Sequence, residues 1–244
     1  MEFITRNQTK FVKTLQTKKN RQQERLFIVE GGKSVLEMLN SDFEVHTLFA
    51  TDQFLNSFNY KKYQNLHIVL CEEKDLVAMG TFDSNNAALL VLKFKDQNFA
   101  HVDGLTLVLD HIADPGNLGT LIRTADWFGV KQIVCSPDTV DMYSAKVANS
   151  TMGSLARVPI FYMNLEDFFA KNTKKVYGAF LGGKILSQTK LEENAVLVIG
   201  NEAKGISVTV EDFVEEKITI SGAGNTESLN ASVAGAICLY EFFR

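Results

Sequence analysis

Leu109-Asp110-His111-Ile112-Ala113-Asp114-Pro115-Gly116-Asn117-Leu118-Gly119-Thr120-Leu121-Ile122-Arg123-Thr124-Ala125 is the stretch on which the fold turns. An apolar strand, Thr106–Leu109, ends there, and the chain turns through Asp-Pro-Gly. A helix then begins near Asn117 and runs to Phe128, where Gly129 stops it. A short strand without polar alternation is covered on both faces, as in a parallel sheet between helix layers. Ligands of such sheets bind beyond the carboxyl ends of the strands, which is where this turn falls. Gly116 and Gly119 permit close backbone approach. Arg123 lies nearly two turns into the helix on a mostly apolar background, so its charge needs a partner, either a structural carboxylate or a bound phosphate.

The pattern recurs at Val196-Leu197-Val198-Ile199-Gly200-Asn201-Glu202-Ala203-Lys204-Gly205-Ile206, where a buried strand again ends in a glycine turn. Glu202 stands at the strand's carboxyl end, within plausible reach of Arg123. A third stretch, Thr226-Glu227-Ser228-Leu229-Asn230-Ala231-Ser232-Val233-Ala234, follows the strand Lys217–Ile220 and a turn at Gly222 and Gly224. It opens a helix that runs to Phe243, for which Ser228 or Glu227 is the expected cap. Read alone, this is a well-capped terminal helix. Its three small polar side chains beside free N–H groups also suit a polar ligand.

Outward from these stretches the class is α/β. From Leu105 onward, strands of four to six apolar residues alternate with helices, at 116–128, 132–135, 144–155, 158–161, 165–171, 176–181, 196–199 and 218–220. The first 92 residues read as a smaller α/β layer, with a helix over 3–19, strands at 26–29, 45–50, 67–70 and 87–92, and a helix from Lys33 to Leu39. Residues 93–104 are polar and irregular and read as a linker, so the expected domains are 1–92 and 105–244.

Hydrophobic residues make up 45% of the 244, ample for a core. Cys71, Cys135 and Cys238 are far apart and odd in number, which implies buried free thiols in a reducing compartment. There is no signal-peptide run at the N-terminus, and the longest apolar run, Ala87–Leu92, cannot span a bilayer, so a soluble cytoplasmic protein without a membrane partner is expected. The net charge of −4 is unevenly spread. Residues 1–26 hold Arg6, Lys10, Lys13, Lys18, Lys19, Arg21 and Arg25 against Glu2 and Glu24, a net +5 that leaves −9 elsewhere. A basic arm on an acidic body is either a solvated helix face or a footprint for a phosphate backbone.

Asn-x-Gly-x-x-x-Arg-x-Ala from Asn117, Gly-x-Glu-x-x-Gly from Gly200 and Ser-Leu-Asn-x-Ser-Val-Ala from Ser228, in that order, resemble the three motifs of the SpoU (TrmH-like) family of the SPOUT superfamily. These are RNA ribose 2′-O-methyltransferases. The resemblance covers roughly 105–244, and Arg25–Gly31 looks like the start of that family's N-terminal RNA-binding domain. It implies S-adenosylmethionine as cofactor, held in the loops of a C-terminal trefoil knot, a feature that periodicity does not reveal. It further implies a homodimer through the knotted domain, with the apolar terminal helix as a plausible interface, and a chemistry that needs no metal.

Carried over residue by residue, Leu181, Gly200, Ile220 and Leu229 line the adenosine pocket. Arg123 activates the 2′-hydroxyl, and Asn117, Glu202, Ser228 and Asn230 place it and the RNA phosphate. A guanidinium is a poor base, so the alternative role of Arg123 is to fix the phosphate and stabilise the developing alkoxide. His46, His67, His101 and His111 are scattered, and only His111 falls near the site, as a bystander. Three departures from the family pattern stand out: Ser221-Gly222 after Ile220, Ala203 after Glu202, and Asn149 where relatives often carry arginine. The expected substrate is RNA, ribosomal before transfer. A non-catalytic RNA-binding protein of the same fold, a base methylase and a mononucleotide-binding α/β protein are the competing readings. The basic arm and the lack of a Gly-x-Gly-x-x-Gly turn count against the last.

Overall fold

The computed structural model describes residues 2–244. They gather into two compact units, one comprising residues up to Asp96 with Asp141–Ala156, the other Gln97–Val140 with Arg157–Arg244. The break at Asp96/Gln97 falls inside the expected linker. The stretch expected to run unbroken from 105 to 244 is interrupted, because Asp141–Ala156 packs with the first unit. Ala145 joins a core cluster with Leu26, Ile28 and Leu89. Tyr143 stacks on Phe94 with ring centroids 4.0 Å apart.

The first unit contains β1 (Glu2–Phe3), α1 (Arg6–Thr14), α2 (Lys18–Glu24), β2 (Leu26–Glu30), α3 (Gly32–Leu39), β3 (Val45–Ala50), α4 (Asp52–Leu55), β4 (Ile68–Leu70), α5 (Glu73–Met79) and β5 (Ala88–Lys93). Its sheet order is β1-β4-β3-β5-β2. β5 runs antiparallel to β2 and β3, and the other pairs are parallel. The single helix expected over 3–19 is two. Thr5 and Gln8 form a capping box that starts α1, and the chain turns at the buried Leu15 before α2 begins. Arg21, expected as part of a basic surface, is buried. It pairs with Asp141 at 2.6 Å and donates to the carbonyls of Leu15 and Gln16. The basic face is therefore one cation smaller than composition suggests.

The second unit is built from β6 (Thr106–Leu109), α6 (Pro115–Phe128), β7 (Gln132–Cys135), β8 (Ile160–Tyr162), α8 (Leu165–Phe169), β9 (Lys175–Ile185), β10 (Ala195–Ile199), α9 (Val208–Glu211), β11 (Glu216–Thr219) and α10 (Ala231–Phe243); α7 (Ala145–Ser150) is the helix packed in the first unit. The strand order is β11-β9-β10-β6-β7-β8, with every neighbouring pair parallel. Full burial of the unbroken runs in β6 and β10 follows from helices on both faces. The chain proceeds outward from β6 through β7 to β8, then builds the other side, so order reverses between β6 and β10. That is the place where open parallel sheets present a ligand crevice.

Two local features matter for the site. β9 extends four residues past its expected end at Leu181, and its register against β11 jumps from Gly178↔Lys217 to Lys184↔Ile218. Residues 179–183 are thus extruded as a bulge. α10 begins at Ala231, so neither Ser228 nor Glu227 caps it. Asn230 does, its side-chain oxygen accepting from the N–H groups of Ser232 at 2.9 Å and Val233 at 3.4 Å. α10 lies close against α6 because Gly235 leaves room for Leu121, whose Cδ2 would sit 2.4 Å from an added methyl. No helix among the described residues is long and apolar enough to cross a membrane.

Candidate active site

Asp114 caps α6, accepting from the Asn117 N–H at 2.8 Å, with Pro115 as the first helical residue. This fixes the first turn and sets Asn117, only 8% exposed, against the other two loops. Its Nδ2 donates to Glu202 Oε1 at 2.7 Å, and its Oδ1 accepts from Asn230 Nδ2 at 2.9 Å. The polarity of this chain follows from the backbone. The cap obliges Asn230 to turn its oxygen to the α10 N–H groups, so its NH₂ faces Asn117. Asn117 must then meet it with oxygen and offers its own NH₂ to the carboxylate of Glu202, which only accepts. One amide thereby joins all three motifs.

The Gly200–Ile206 loop is held from below. A methyl at Gly200 would lie 2.3 Å from the backbone of Gly205 and Ile206, and Asn201 and Gly205 exchange two backbone bonds of 2.9 Å. The Asn201 side chain accepts from the N–H groups of Ala203 and Lys204 and donates to the His111 carbonyl at 2.8 Å. Buried Asp110 accepts from the Ser207 N–H at 2.7 Å, and His111 Nδ1 lies 2.7 Å from its other oxygen. His111 therefore supports the loop through its carbonyl and ring, outside the chain of bonds itself. Asp110, Asp114 and Asn201 escaped sequence reading. Asp114 alone had a legible signal, an Asp immediately before a helix-starting proline.

Arg123 and Ser228 are not joined to this network. Glu202 bonds Asn117, not Arg123. Six residues beyond Asn117, Arg123 is turned about 120° around the helix. It lies exposed with Thr120 and Trp127, without a hydrogen-bond or ion-pair partner among the described residues. Ser228 is exposed in the segment 221–229. That segment makes no backbone–backbone hydrogen bond among the described residues. Leu181 stands on the β9 bulge, 78% exposed, and its carbonyl accepts from the Thr219 hydroxyl at 3.1 Å, beside Ile220. Exposed Leu181 and Leu229 together with unpaired main-chain groups are the chemistry a nucleoside cofactor needs: apolar faces, with backbone donors and acceptors at the edge. The residues present fit S-adenosylmethionine.

No group of His, Cys, Asp or Glu that could hold a metal occurs among the described residues. Burial pushes the Cys71 and Cys238 thiols up to about 12, and the buried Cys135 thiol is raised as well. None of the three is a nucleophile at neutral pH.

A parallel α/β sheet with three loops joined at the carboxyl ends of its strands, through amides and one carboxylate, is a fold class that takes its ligand in that crevice. A family model described as the SpoU rRNA Methylase family matches residues 104–240, and one described as an MRM3-like substrate binding domain matches residues 6–83. The chain belongs to the SpoU rRNA methylase family. It is 28% identical to the 23S rRNA (guanosine(2553)-2′-O)-methyltransferase RlmP of Bacillus subtilis, over 98% of this chain and 97% of that protein. It is 30% identical to the 23S rRNA (guanosine-2′-O-)-methyltransferase RlmB of Pasteurella multocida, over 82% of each. Among solved structures, a TrmH-family protein from Porphyromonas gingivalis superposes with a TM-score of 0.89 at 35% identity, over 98% of both chains. The AdoMet-bound rRNA methyltransferase from Sinorhizobium meliloti superposes at 0.87 and 27% identity, over 99% of this chain and 96% of that one.

Proposed function

We propose that the protein transfers the methyl group of S-adenosylmethionine to a ribose 2′-hydroxyl of RNA, with ribosomal RNA as the substrate, in the cytoplasm and as a homodimer. The observation that carries this is the Glu202–Asn117–Asn230 chain, which draws the three motifs into one site. The names of the relatives favour ribosomal over transfer RNA.

The cofactor supplies an activated methyl on a sulfonium, and the protein's task is to bind, orient and deprotonate around it. Gly200, Ile220, Leu229 and the bulge at Leu181 hold the adenosine, and the trefoil knot implied by the motifs belongs to this reading. Asn117 engages one oxygen of Glu202. The other makes no hydrogen bond among the described residues, which leaves it free to accept from the substrate hydroxyl. Arg123 is unpaired among the described residues and permanently charged, suited to clamp a phosphate and stabilise a developing alkoxide. Ser228, exposed beside Leu229, adds a hydroxyl toward the same substrate. For the dimer, α6 and α10 pack together, with Phe128 stacked on Phe243, and carry the exposed apolar side chains Trp127, Val233, Tyr240 and Phe243, which suit an interface.

Unmodified ribosomal RNA made by transcription, incubated with labelled S-adenosylmethionine and digested to nucleosides, should yield a 2′-O-methylnucleoside by mass spectrometry. A methylated base, or label only in transfer RNA, would overturn the assignment.

A further inference from the structure

The first unit carries an open depression of about 430 Å³, lined by Thr81, Phe82, Lys146, Asn149, Ser150 and Met152. Four of these come from the segment that the sequence places in the methylase domain and the fold packs with the first unit. We propose that this depression is a subsite for one unstacked nucleobase of the RNA substrate, with Lys146 at its rim holding the adjoining phosphate. The proposal rests on the RNA reading above and adds a place where the RNA is read.

Beneath the lining residues lies a built polar support. Glu30 is 1% exposed and has no ion-pair partner among the described residues. Its carboxylate accepts from the Thr81 N–H at 2.9 and 3.0 Å and the Thr81 hydroxyl at 2.7 Å, with Asn149 Nδ2 at 3.5 Å. Gly80 is required beneath it, since a methyl there would lie 1.9 Å from Glu30 Oε2. Asn149 is oriented by Glu30 at both ends of its amide: the Glu30 N–H donates to its Oδ1 at 2.8 Å, and one N–H of its Nδ2 faces Glu30 Oε1 at 3.5 Å. Asn149, the departure noted in the sequence, thus serves as a neutral, oriented amide at the base of the depression.

The walls are apolar and exposed. Phe82 and Met152 are 38% and 42% accessible. Met152 takes φ of +50°, a left-handed conformation that costs energy for any residue but glycine, and Gly153 follows at +92°. Lys146 is exposed and makes no ion pair among the described residues.

These features select an occupant. An aromatic ring and a thioether offer faces for stacking, and an amide and hydroxyls offer edges, the combination by which unpaired bases are bound. A wholly aliphatic ligand has no use for Asn149, Thr81 or Lys146. A free anion is disfavoured over the uncompensated Glu30 carboxylate, so negative charge belongs at the rim with Lys146 and an N–H edge of a base belongs inside. The volume falls in the range of small-ligand sites, about 300–1,000 Å³.

The test uses the full chain and the unmodified ribosomal RNA transcript, with affinity read by filter binding and turnover by methyl transfer. Phe82→Ala should weaken RNA binding about tenfold, the scale of one lost base–aromatic stack, while Phe82→Tyr stays near wild type. Lys146→Ala should weaken binding and lower the salt slope by about 1, which Phe82→Ala leaves unchanged. kcat at saturating RNA, calorimetric S-adenosylmethionine affinity and the thermal midpoint should be unaltered in all three. Wild-type RNA affinity in both Phe82→Ala and Lys146→Ala would overturn the subsite. So would a Phe82→Tyr variant as weak as Phe82→Ala, or losses confined to kcat. If the wild type binds the transcript without methylating it, the catalytic reading fails while the affinity ratios still decide the subsite.

Discussion

Asn117 can be an asparagine and nothing else of its size, because it gives a hydrogen bond to Glu202 with one end of its amide and takes one from Asn230 with the other. Asn117→Asp removes the donor and sets two carboxylates face to face. The expected result is loss of methyl transfer and a destabilisation of about 1–3 kcal/mol in urea unfolding. Like charges oppose ionisation, so the folded variant binds protons more readily than its unfolded chain. The deficit should be present at pH 8 and shrink as the pH is lowered through the carboxylate range. Arg123 poses the opposite case, a charge with no internal partner among the described residues. Arg123→Lys keeps the charge and loses the planar fork, which should lower single-turnover transfer by about 100-fold with cofactor binding unchanged. Near-normal transfer would sink the positioning role, and joint loss of transfer and cofactor binding would mark Arg123 as structural. The residue types at 117, 202 and 230, which the structure brings together, were legible in the sequence. Which residues touch was not: the expected Arg123–Glu202 pair gives way to Asn117–Glu202, because six helical residues turn Arg123 about 120° away from Asn117.

At the scale of elements, the β9 bulge and the α6–α10 surface carry the consequences. A methyl at Gly183 would lie 2.4 Å from the Lys217 carbonyl oxygen, in the backbone that pairs with the bulge. Gly183→Ala should therefore shift the β9–β11 register and displace Leu181. Overpacking of this kind costs about 1–3 kcal/mol, so cofactor affinity measured by calorimetry should fall about tenfold while RNA affinity holds. A wild-type cofactor affinity would remove Leu181 from the pocket. On the outer surface, Tyr240→Glu with Trp127→Glu should turn a dimer into monomers in sedimentation, since two desolvated charges would be buried across it. An unchanged mass would place the interface elsewhere, or show that none forms.

At the scale of the molecule, the two units are not two consecutive lengths of chain. Deleting residues 1–92 would strip Phe27 and Phe43 from Tyr143, uncover Ala145 and leave Asp141 without Arg21, so truncation is a poor way to separate RNA affinity from chemistry. Surface substitution is the cleaner instrument. Lys10, Lys13, Lys18 and Lys19 are exposed, whereas Arg21 is spent inside the fold. Changing those four to glutamine should reduce the salt slope of RNA binding by about 0.7–0.9 for each phosphate they neutralise, with cofactor affinity untouched. An unchanged slope would assign the basic arm to solvent.

By itself the sequence determined the α/β class, the strands of the second unit, the position of the three loops and the residue types at 117, 202 and 230 that meet there. Those follow from local rules: apolar runs too short for helices, glycine and proline at turns, and polar residues where strands end. Tertiary structure alone decided four things. It gave Asp141–Ala156 to the first unit, drew β9 out into a bulge, moved the helix cap to Asn230 and buried Arg21. The segment, the bulge and Arg21 depend on partners distant in the chain, and the capping Asn230 is also held by distant Asn117; periodicity reports that a face is covered without saying by what.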